Sequence, residues 1–226
     1  MKKLILLLLA ALLLCGCARS FNSQDCAQAV ILTLFKGDYT QYADLTGQST
    51  ALISSQREAW LDNRTDLLIR TLGASTPSEE MKKRVSSLLT TLYSKAEFEV
   101  SPGEEEVTVT VTPVTLIPEC AADLAAQASA WNERNEAYEF ADLSPEAYND
   151  AYLDSLLPIL ESRLTAIPTG SRLTLTLPLK MDDNGLYALP ADALEDLAEK
   201  AVSFDLPEPE TESETAETEA PAESGK

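Results

Sequence analysis

Histidine is absent from all 226 residues of the chain. It is the only side chain whose unperturbed pKa lies near neutrality, and its neutral imidazole is a common metal ligand. Its absence excludes a Ser–His–Asp triad, a Cys–His pair and any imidazole metal site. A CxxC pair, a GxSxG motif and a glycine-rich phosphate loop are also missing. We therefore expect a protein that is not an enzyme and that holds no metal and no cofactor.

Basic residues are few. The chain has 17 lysines and arginines against 37 aspartates and glutamates, which gives a formal net charge of −20 at pH 7. Nucleic-acid binding needs a clustered basic face that contacts several phosphates. The only basic cluster, Lys82-Lys83-Arg84, stands among acidic residues, which is typical of a solvated helix face. This charge balance predicts that nucleic acid is not a partner.

Long apolar runs are missing beyond the N-terminus. There, Lys2 and Lys3 precede an apolar run from Leu4 to Leu14, which is the pattern of a secretory signal peptide. A transmembrane helix needs roughly 20 apolar residues, and this run is shorter. The pattern predicts a signal peptide over residues 1–16, followed by a short tether over residues 17–22.

The apolar run ends in Leu14-Cys15-Gly16-Cys17, which resembles the lipobox of bacterial lipoproteins. In that motif a leucine stands three positions before the modified cysteine, and a small residue directly precedes it. The resemblance implies that Cys17 carries a diacylglyceryl group, which anchors the chain to the outer face of the cell membrane. Two acyl chains hold a protein stably, whereas one holds it only marginally. The alternative is an ordinary secreted protein whose signal peptide happens to contain cysteines.

Two cysteines remain once the signal peptide is removed and Cys17 is modified. Cys26 and Cys120 form an even pair in a compartment that permits disulfides. A bridge between them would close a loop of about 95 residues and contribute about 4–5 kcal/mol. Cysteine is also a common buried thiol in protein cores. A disulfide and two separate buried thiols therefore both stay open.

Hydrophobic periodicity divides the rest of the chain into helices and strands. Apolar residues recur at helical spacing from Ser23 to Gly37, and a capping box at Thr76–Glu79 opens a further helix. The other helices are predicted over residues 50–72, 119–140 and 144–166, where Pro158 kinks or splits the helix, and from Pro190 onward.

A period of two marks the strands. Valines alternate with threonines from Val107 to Val111, which predicts a half-solvated antiparallel strand, and Pro113 favours an edge position or a bulge. Residues 96–100 and 173–181 alternate in the same way, with all the leucines of the second segment on one face.

The acidic turn Asp182-Asp183-Asn184-Gly185 has two interpretations. A calcium-binding EF-hand needs oxygen ligands at alternating positions and a glutamate six residues after the glycine. Here the acids are consecutive and Ala191 occupies the glutamate position. The turn is therefore predicted to close a β-hairpin rather than to bind calcium.

Two segments, LTLFKGDYTQYADL and LPLKMDDNGLYALPADALEDL, resemble lipoproteins of unknown function from Gram-positive, Clostridia-like gut bacteria. Those proteins carry an NTF2-like (cystatin-like) domain, in which helices pack on a small curved antiparallel sheet. The resemblance implies a single helix-rich α+β domain over residues 23–205. It supplies no catalytic residue. The remaining residues, 206–226, have no large apolar side chain from Pro207 onward and are predicted to form a disordered acidic tail.

These observations favour a lipid-anchored, non-enzymatic interaction or ligand-binding module of the cell envelope, whose partner is an unknown envelope protein or a small ligand. A first alternative is a small-molecule capture protein that uses a pocket between the helices and the sheet. A second is a carboxylate-based hydrolase of cell-wall glycans, which needs two acids roughly 5–9.5 Å apart across a cleft. Its candidates are Glu133, Glu136 and Glu139, although such a stripe is usually a solvated helix face.

Overall fold

A computed structural model of the chain describes residues 23–103, 106–181 and 187–206. The predicted signal peptide, the tether with Cys17, the hairpin turn at residues 182–186 and the acidic tail from Pro207 lie outside the described residues. The described chain is a helix-rich α+β protein. Its helices are α1 (Ser23–Ile31), α2 (Thr40–Thr46), α3 (Thr50–Thr71), α4 (Glu79–Lys95), α5 (Leu116–Glu119), α6 (Ala121–Glu136), α7 (Pro145–Glu161) and α8 (Ala191–Ala201).

The strands form two small antiparallel sheets. The first contains β1 (Glu97–Pro102), β2 (Glu106–Thr112) and β3 (Leu173–Pro178), in the spatial order β1-β2-β3, and the second contains β4 (Lys180–Met181) and β5 (Tyr187–Ala188). Val109 stands opposite Val100 on one side and Leu175 on the other. None of the helices within the described ranges is long and apolar enough to cross a membrane.

The predicted valine face of β2 is confirmed, but its predicted edge position is wrong. Val107, Val109 and Val111 are fully buried, whereas the threonines between them are partly exposed. Since β2 pairs with β1 and β3, it is the central strand of the sheet. Pro113 lies just beyond its end, where a missing N–H removes no ladder hydrogen bond. The carbonyl of Pro113 accepts a hydrogen bond of 2.9 Å from the N–H of Gly170.

The leucine strand predicted over residues 173–181 is divided. Its first part pairs with β2 as β3, and its last two residues pair with β5 as β4. Leu177 and Leu179 are buried as predicted, whereas Leu173 at the start of β3 is 41% exposed. The helices therefore cover only one end of the predicted leucine face.

Three helix boundaries differ from the predictions. Helix α4 begins after Ser78, whose hydroxyl accepts a hydrogen bond from the N–H of Met81, and not at a Thr76 capping box. Asp150 accepts a hydrogen bond of 2.7 Å from the N–H of Ser78, so a contact with α7 holds this residue outside the helix. The helix predicted over residues 119–140 consists of α5 and α6 and ends at Glu136. Helix α7 is not split, because Pro158 lies in its last turn.

The space between the helices and the sheet is filled. The three valines of β2 are buried, and β2 packs against α1 and α8, whose Leu197 and Ala198 are buried too. Beside them, Phe35 lies 4.8 Å from Phe98 and 5.7 Å from Trp60 between ring centroids. Close packing of this kind leaves no room for a ligand. The core therefore fills the space against the valine face of β2, and a pocket between the helices and the sheet can lie only at its edge.

Two cations inside the fold bind the C-terminal ends of neighbouring helices. The chain continues from α1 into a π-helical turn, Leu32–Lys36, that ends at Gly37 with a φ of 69°. The buried Arg57 of α3 donates a hydrogen bond of 2.9 Å from Nε to the carbonyl of Leu34 in this turn. In the same way, Lys36 Nζ donates to the carbonyls of Ser94 and Ala96 at the end of α4. The partial negative charge at a helix C-terminus favours a cation there.

Replacing Arg57 tests the contribution of this contact. In Arg57→Ala the carbonyl of Leu34 loses a charged donor and the core gains a cavity, so the free energy of unfolding should fall by about 2–4 kcal/mol. Arg70→Ala removes an exposed arginine from the same helix and should change it by less than about 1 kcal/mol. Urea denaturation of both variants measures the difference. Equal losses in the two variants would contradict the role assigned to Arg57.

Candidate functional site

The two cysteines left open by the sequence are both buried. Cys26 lies in α1, which packs on β1 and β2, and Cys120 lies at the start of α6, which packs on α7. No disulfide joins Cys26 to Cys120 within the described residues. Burial raises the pKa of the Cys120 thiol, which makes it a poor nucleophile.

The basic cluster on α4 is partly paired with acids. Lys82 lies 3.4 Å from Glu79, and Lys83 is exposed, as predicted for a solvated face. Arg84 instead connects α4 to α7, because its guanidinium contacts Asp154 at 2.6 Å and Glu161 at 2.7 Å. Of the three residues, Arg84 therefore stabilises the packing of α4 on α7.

The acidic stripe on α6 is shorter than its spacing suggested. Glu133 and Glu136 are exposed residues of α6, but Glu139 lies beyond the helix end. There it accepts a hydrogen bond of 2.8 Å from Arg134 Nε, which lowers the pKa of Glu139. Within residues 23–103, 106–181 and 187–206, no three acids or cysteines are grouped so that they could hold a metal ion.

A groove of about 550 Å³ opens where α3, α8 and the start of β3 meet the segment 202–205. Its wall combines apolar and charged side chains, chiefly those of Leu67, Leu173, Phe204, Arg64, Glu199 and Lys200. The volume lies in the range typical of small-molecule sites. The groove therefore lies at the edge of the core, where two helices meet the start of β3.

Arg64 forms the buried end of this groove. Its side chain is almost completely buried, yet it lines the groove. Its Nε donates a hydrogen bond of 2.9 Å to the hydroxyl of Tyr93 on α4, and its Nη1 donates one of 3.2 Å to Glu195 on α8. The guanidinium carbon lies 5.0 Å from the ring centroid of Phe204. Contacts on three sides fix the position of the guanidinium.

The remaining nitrogen of Arg64 has hydrogen-bonding capacity left over. A guanidinium carries five N–H donors, and the contacts with Tyr93 and Glu195 use two of them. No acceptor for Nη2 exists among the described residues. Nη2 is not fully buried, and the side chain of Arg64 lines the groove. An acceptor inside the groove can therefore bind it.

Glutamates surround the Arg64–Tyr93 pair. Burial raises the pKa of Tyr93 to about 12, while the charge of Arg64 opposes this rise and the carboxylates of Glu195 and Glu199 add to it. Glu199 also lines the groove. The groove thus combines the buried guanidinium of Arg64 with exposed groups of both signs on α8, Glu199 and Lys200.

The comparisons with known proteins give a distant similarity. No protein-family model matches the chain, and no curated protein matches it. The chain is similar to a crystal structure of ycdA, a candidate lipoprotein of Bacillus subtilis, with 19% sequence identity and a TM-score of 0.49. The match covers 79% of this chain and 56% of that one, so the chain spans little more than half of its length. An NTF2-like domain and an origin in Clostridia stay predictions from the sequence.

Arg64 was not among the residues predicted to form a site, although a signal was present. Trp60, Arg64 and Leu68 follow one another at intervals of four residues, so all three lie on one side of α3. An arginine inside an apolar stripe is rarely buried without a specific partner. The spacing alone therefore indicates that the charge of Arg64 is buried.

The high pKa of Tyr93 predicts how stability depends on pH. Below about pH 10 the Tyr93 hydroxyl is protonated in both the folded and the unfolded protein. Above about pH 10 this hydroxyl ionises readily only in the unfolded protein. The buried, protonated hydroxyl of Tyr93 therefore contributes fully to the free energy of unfolding below about pH 10. As the pH rises towards about 12, this contribution is lost and the free energy of unfolding falls by about 2–3 kcal/mol. Tyr93→Phe lacks this ionisation, so its free energy of unfolding should fall less over the same range.

Urea denaturation between pH 9 and about pH 12 measures this difference. Tyr138→Phe is the matched control, because it removes the same hydroxyl from a side chain that is 82% exposed. Its curve should follow that of the unsubstituted protein. Parallel curves for Tyr93→Phe and the unsubstituted protein would show that the Tyr93 hydroxyl is not buried.

Proposed function

We propose that the protein is a lipid-anchored, non-enzymatic binding protein of the cell envelope that holds a small ligand with a carboxylate group in the groove. One observation carries this proposal: the fixed guanidinium of Arg64, whose Nη2 has no acceptor within the described residues and is accessible from the groove. A buried charge with unused donors is costly unless a partner binds it.

A carboxylate suits this position for two reasons. Charge-assisted hydrogen bonds from a guanidinium to a carboxylate are stronger than neutral ones. Arg64 also reaches the groove already held by Tyr93 and Glu195, so little side-chain entropy is lost when a ligand binds. The apolar wall formed by Leu67, Leu173 and Phe204 would bury the rest of the ligand.

The location follows from the N-terminal residues. The lipobox-like Leu14-Cys15-Gly16-Cys17 supports an anchor at Cys17, with the domain displayed on the outer face of the cell membrane. A protein held at this position can capture a solute close to the membrane. Catalysis is not part of the proposal, because the groove offers binding groups without an activated nucleophile.

Lipid labelling tests the anchor. Cells that produce Cys17→Ser should incorporate no radioactive palmitate into the protein, because the thiol that would carry the diacylglyceryl group is gone. Cys15→Ser is the matched control and should keep the label and the membrane fraction. Label retained by Cys17→Ser, or lost equally from both variants, would contradict an anchor at Cys17.

Calorimetric titration tests the groove. The probes are 4-methylpentanoate, a carboxylate with an apolar tail, and its 2-amino derivative leucine, added to dialysed full-length protein in detergent. At least one of them should bind the unsubstituted protein, and Arg64→Lys should weaken that binding at least about tenfold. Arg70→Lys is the control and should bind like the unsubstituted protein.

Leu173→Glu provides a second variant, because Leu173 is 41% exposed and its replacement should leave the fold intact. A carboxylate at this position of the groove wall should repel an anionic ligand. Circular dichroism confirms that each variant is folded. Failure of both probes to bind, or unchanged binding by Arg64→Lys and Leu173→Glu, would overturn the proposed function.

A further inference from the structure

We infer that the groove recognises a zwitterion, an amino acid or short peptide with an apolar side chain, rather than a simple carboxylate. This inference rests on the proposed function and adds the chemical class of the ligand. Its basis is the distribution of charge around the groove. Arg64 offers an accessible guanidinium, and Glu199 and Asp205 line the same groove without forming an ion pair among the described residues.

The first step concerns Glu199 and Asp205. Both line the groove, and both are exposed residues. Across the described part of the chain, neither forms an ion pair; Asp205 accepts only a hydrogen bond of 3.0 Å from the hydroxyl of Ser203. Arg64 is already shared with Glu195. The two carboxylates are therefore available to a cation brought by a ligand.

The second step excludes a ligand of one sign. Two carboxylates that line the same groove as Arg64 and form no ion pair would repel a plain carboxylate, since like charges disfavour each other. A plain amine would leave Nη2 of Arg64 without an acceptor. A molecule with a carboxylate and an ammonium satisfies both sets of groups, with the carboxylate at Arg64 and the ammonium towards Glu199 or Asp205.

The third step concerns the side chain of the ligand. Leu67 and Leu173 stand on the wall with Phe204, whose ring also stacks on Arg64. Apolar surface of this kind favours an aliphatic or aromatic group by the hydrophobic effect. Lys200 also lines the groove; it is exposed and forms no ion pair within the described residues, so it adds a second cation for the carboxylate of the ligand.

Three matched probes separate the contributions of the carboxylate and the ammonium group to binding. Leucine carries both charged groups, 4-methylpentanoate lacks the ammonium, and 3-methylbutylamine lacks the carboxylate. Titration of the dialysed full-length protein in detergent should show leucine binding at least about tenfold more tightly than either single-charge probe. The dipeptide Leu-Leu distinguishes the two sources, because tighter binding of the dipeptide assigns the groove to peptides and tighter binding of leucine assigns it to free amino acids.

Glu199→Gln and Asp205→Asn test the proposed ammonium site. Both residues are exposed, so their replacement should not affect folding. In the double variant, leucine should lose its advantage and bind no more tightly than 4-methylpentanoate. Asp196→Asn is the matched control, because Asp196 is an exposed acid of α8 that does not line the groove, and its replacement should leave the binding of all three probes unchanged.

The outcomes separate this inference from the function on which it rests. Equal binding of leucine and 4-methylpentanoate, or an advantage for leucine that survives in the double variant, would overturn the zwitterion while leaving the carboxylate-binding function in place. If 3-methylbutylamine alone bound, or if none of the probes bound, both the inference and the proposed function would fall.

Discussion

The burial of one arginine is the constraint on which the candidate site depends. Arg64 is held by Tyr93 of α4, Glu195 of α8 and the ring of Phe204, so a single guanidinium connects three parts of the chain. Removing a charge from water is unfavourable unless hydrogen bonds compensate. The fold supplies two of them and leaves Nη2 facing the groove. The position of the helices around Arg64 therefore determines the shape of the groove and which donors of the guanidinium stay unused.

The same principle operates elsewhere in the fold. Arg57 and Lys36 turn inward and bind backbone carbonyls at helix ends, and Arg84 joins α4 to α7 through two carboxylates. In a chain with 17 basic and 37 acidic residues, these cations are at positions where acceptors converge. The acids mostly remain on the surface. The excess negative charge keeps the exterior solvated. The few cations named above hold helices together by binding carbonyls and carboxylates.

Much of the fold was predictable because it follows from local periodicity. The helical spacing of Ala27, Val30 and Ile31 and the alternation of Val107, Val109 and Val111 each predicted a buried face that the structure confirms. The predictions were wrong where tertiary contacts determine the bounds of a helix or the position of a strand. Asp150 of α7 displaced the start of α4, and pairing on both sides made β2 a central strand. The groove escaped prediction because Arg64, Tyr93 and Glu195 meet only after three helices pack.

Arginine side-chain NMR of the full-length protein during a leucine titration tests the central claim most directly, because it observes the guanidinium itself. The account predicts that the Nη signals of one arginine, assigned by their absence from Arg64→Lys, shift and exchange more slowly with water as leucine saturates the protein. The signals of Arg57 and Arg70 should stay in place. Leucine binding that moves no signal of Arg64 would place the ligand elsewhere and contradict the account.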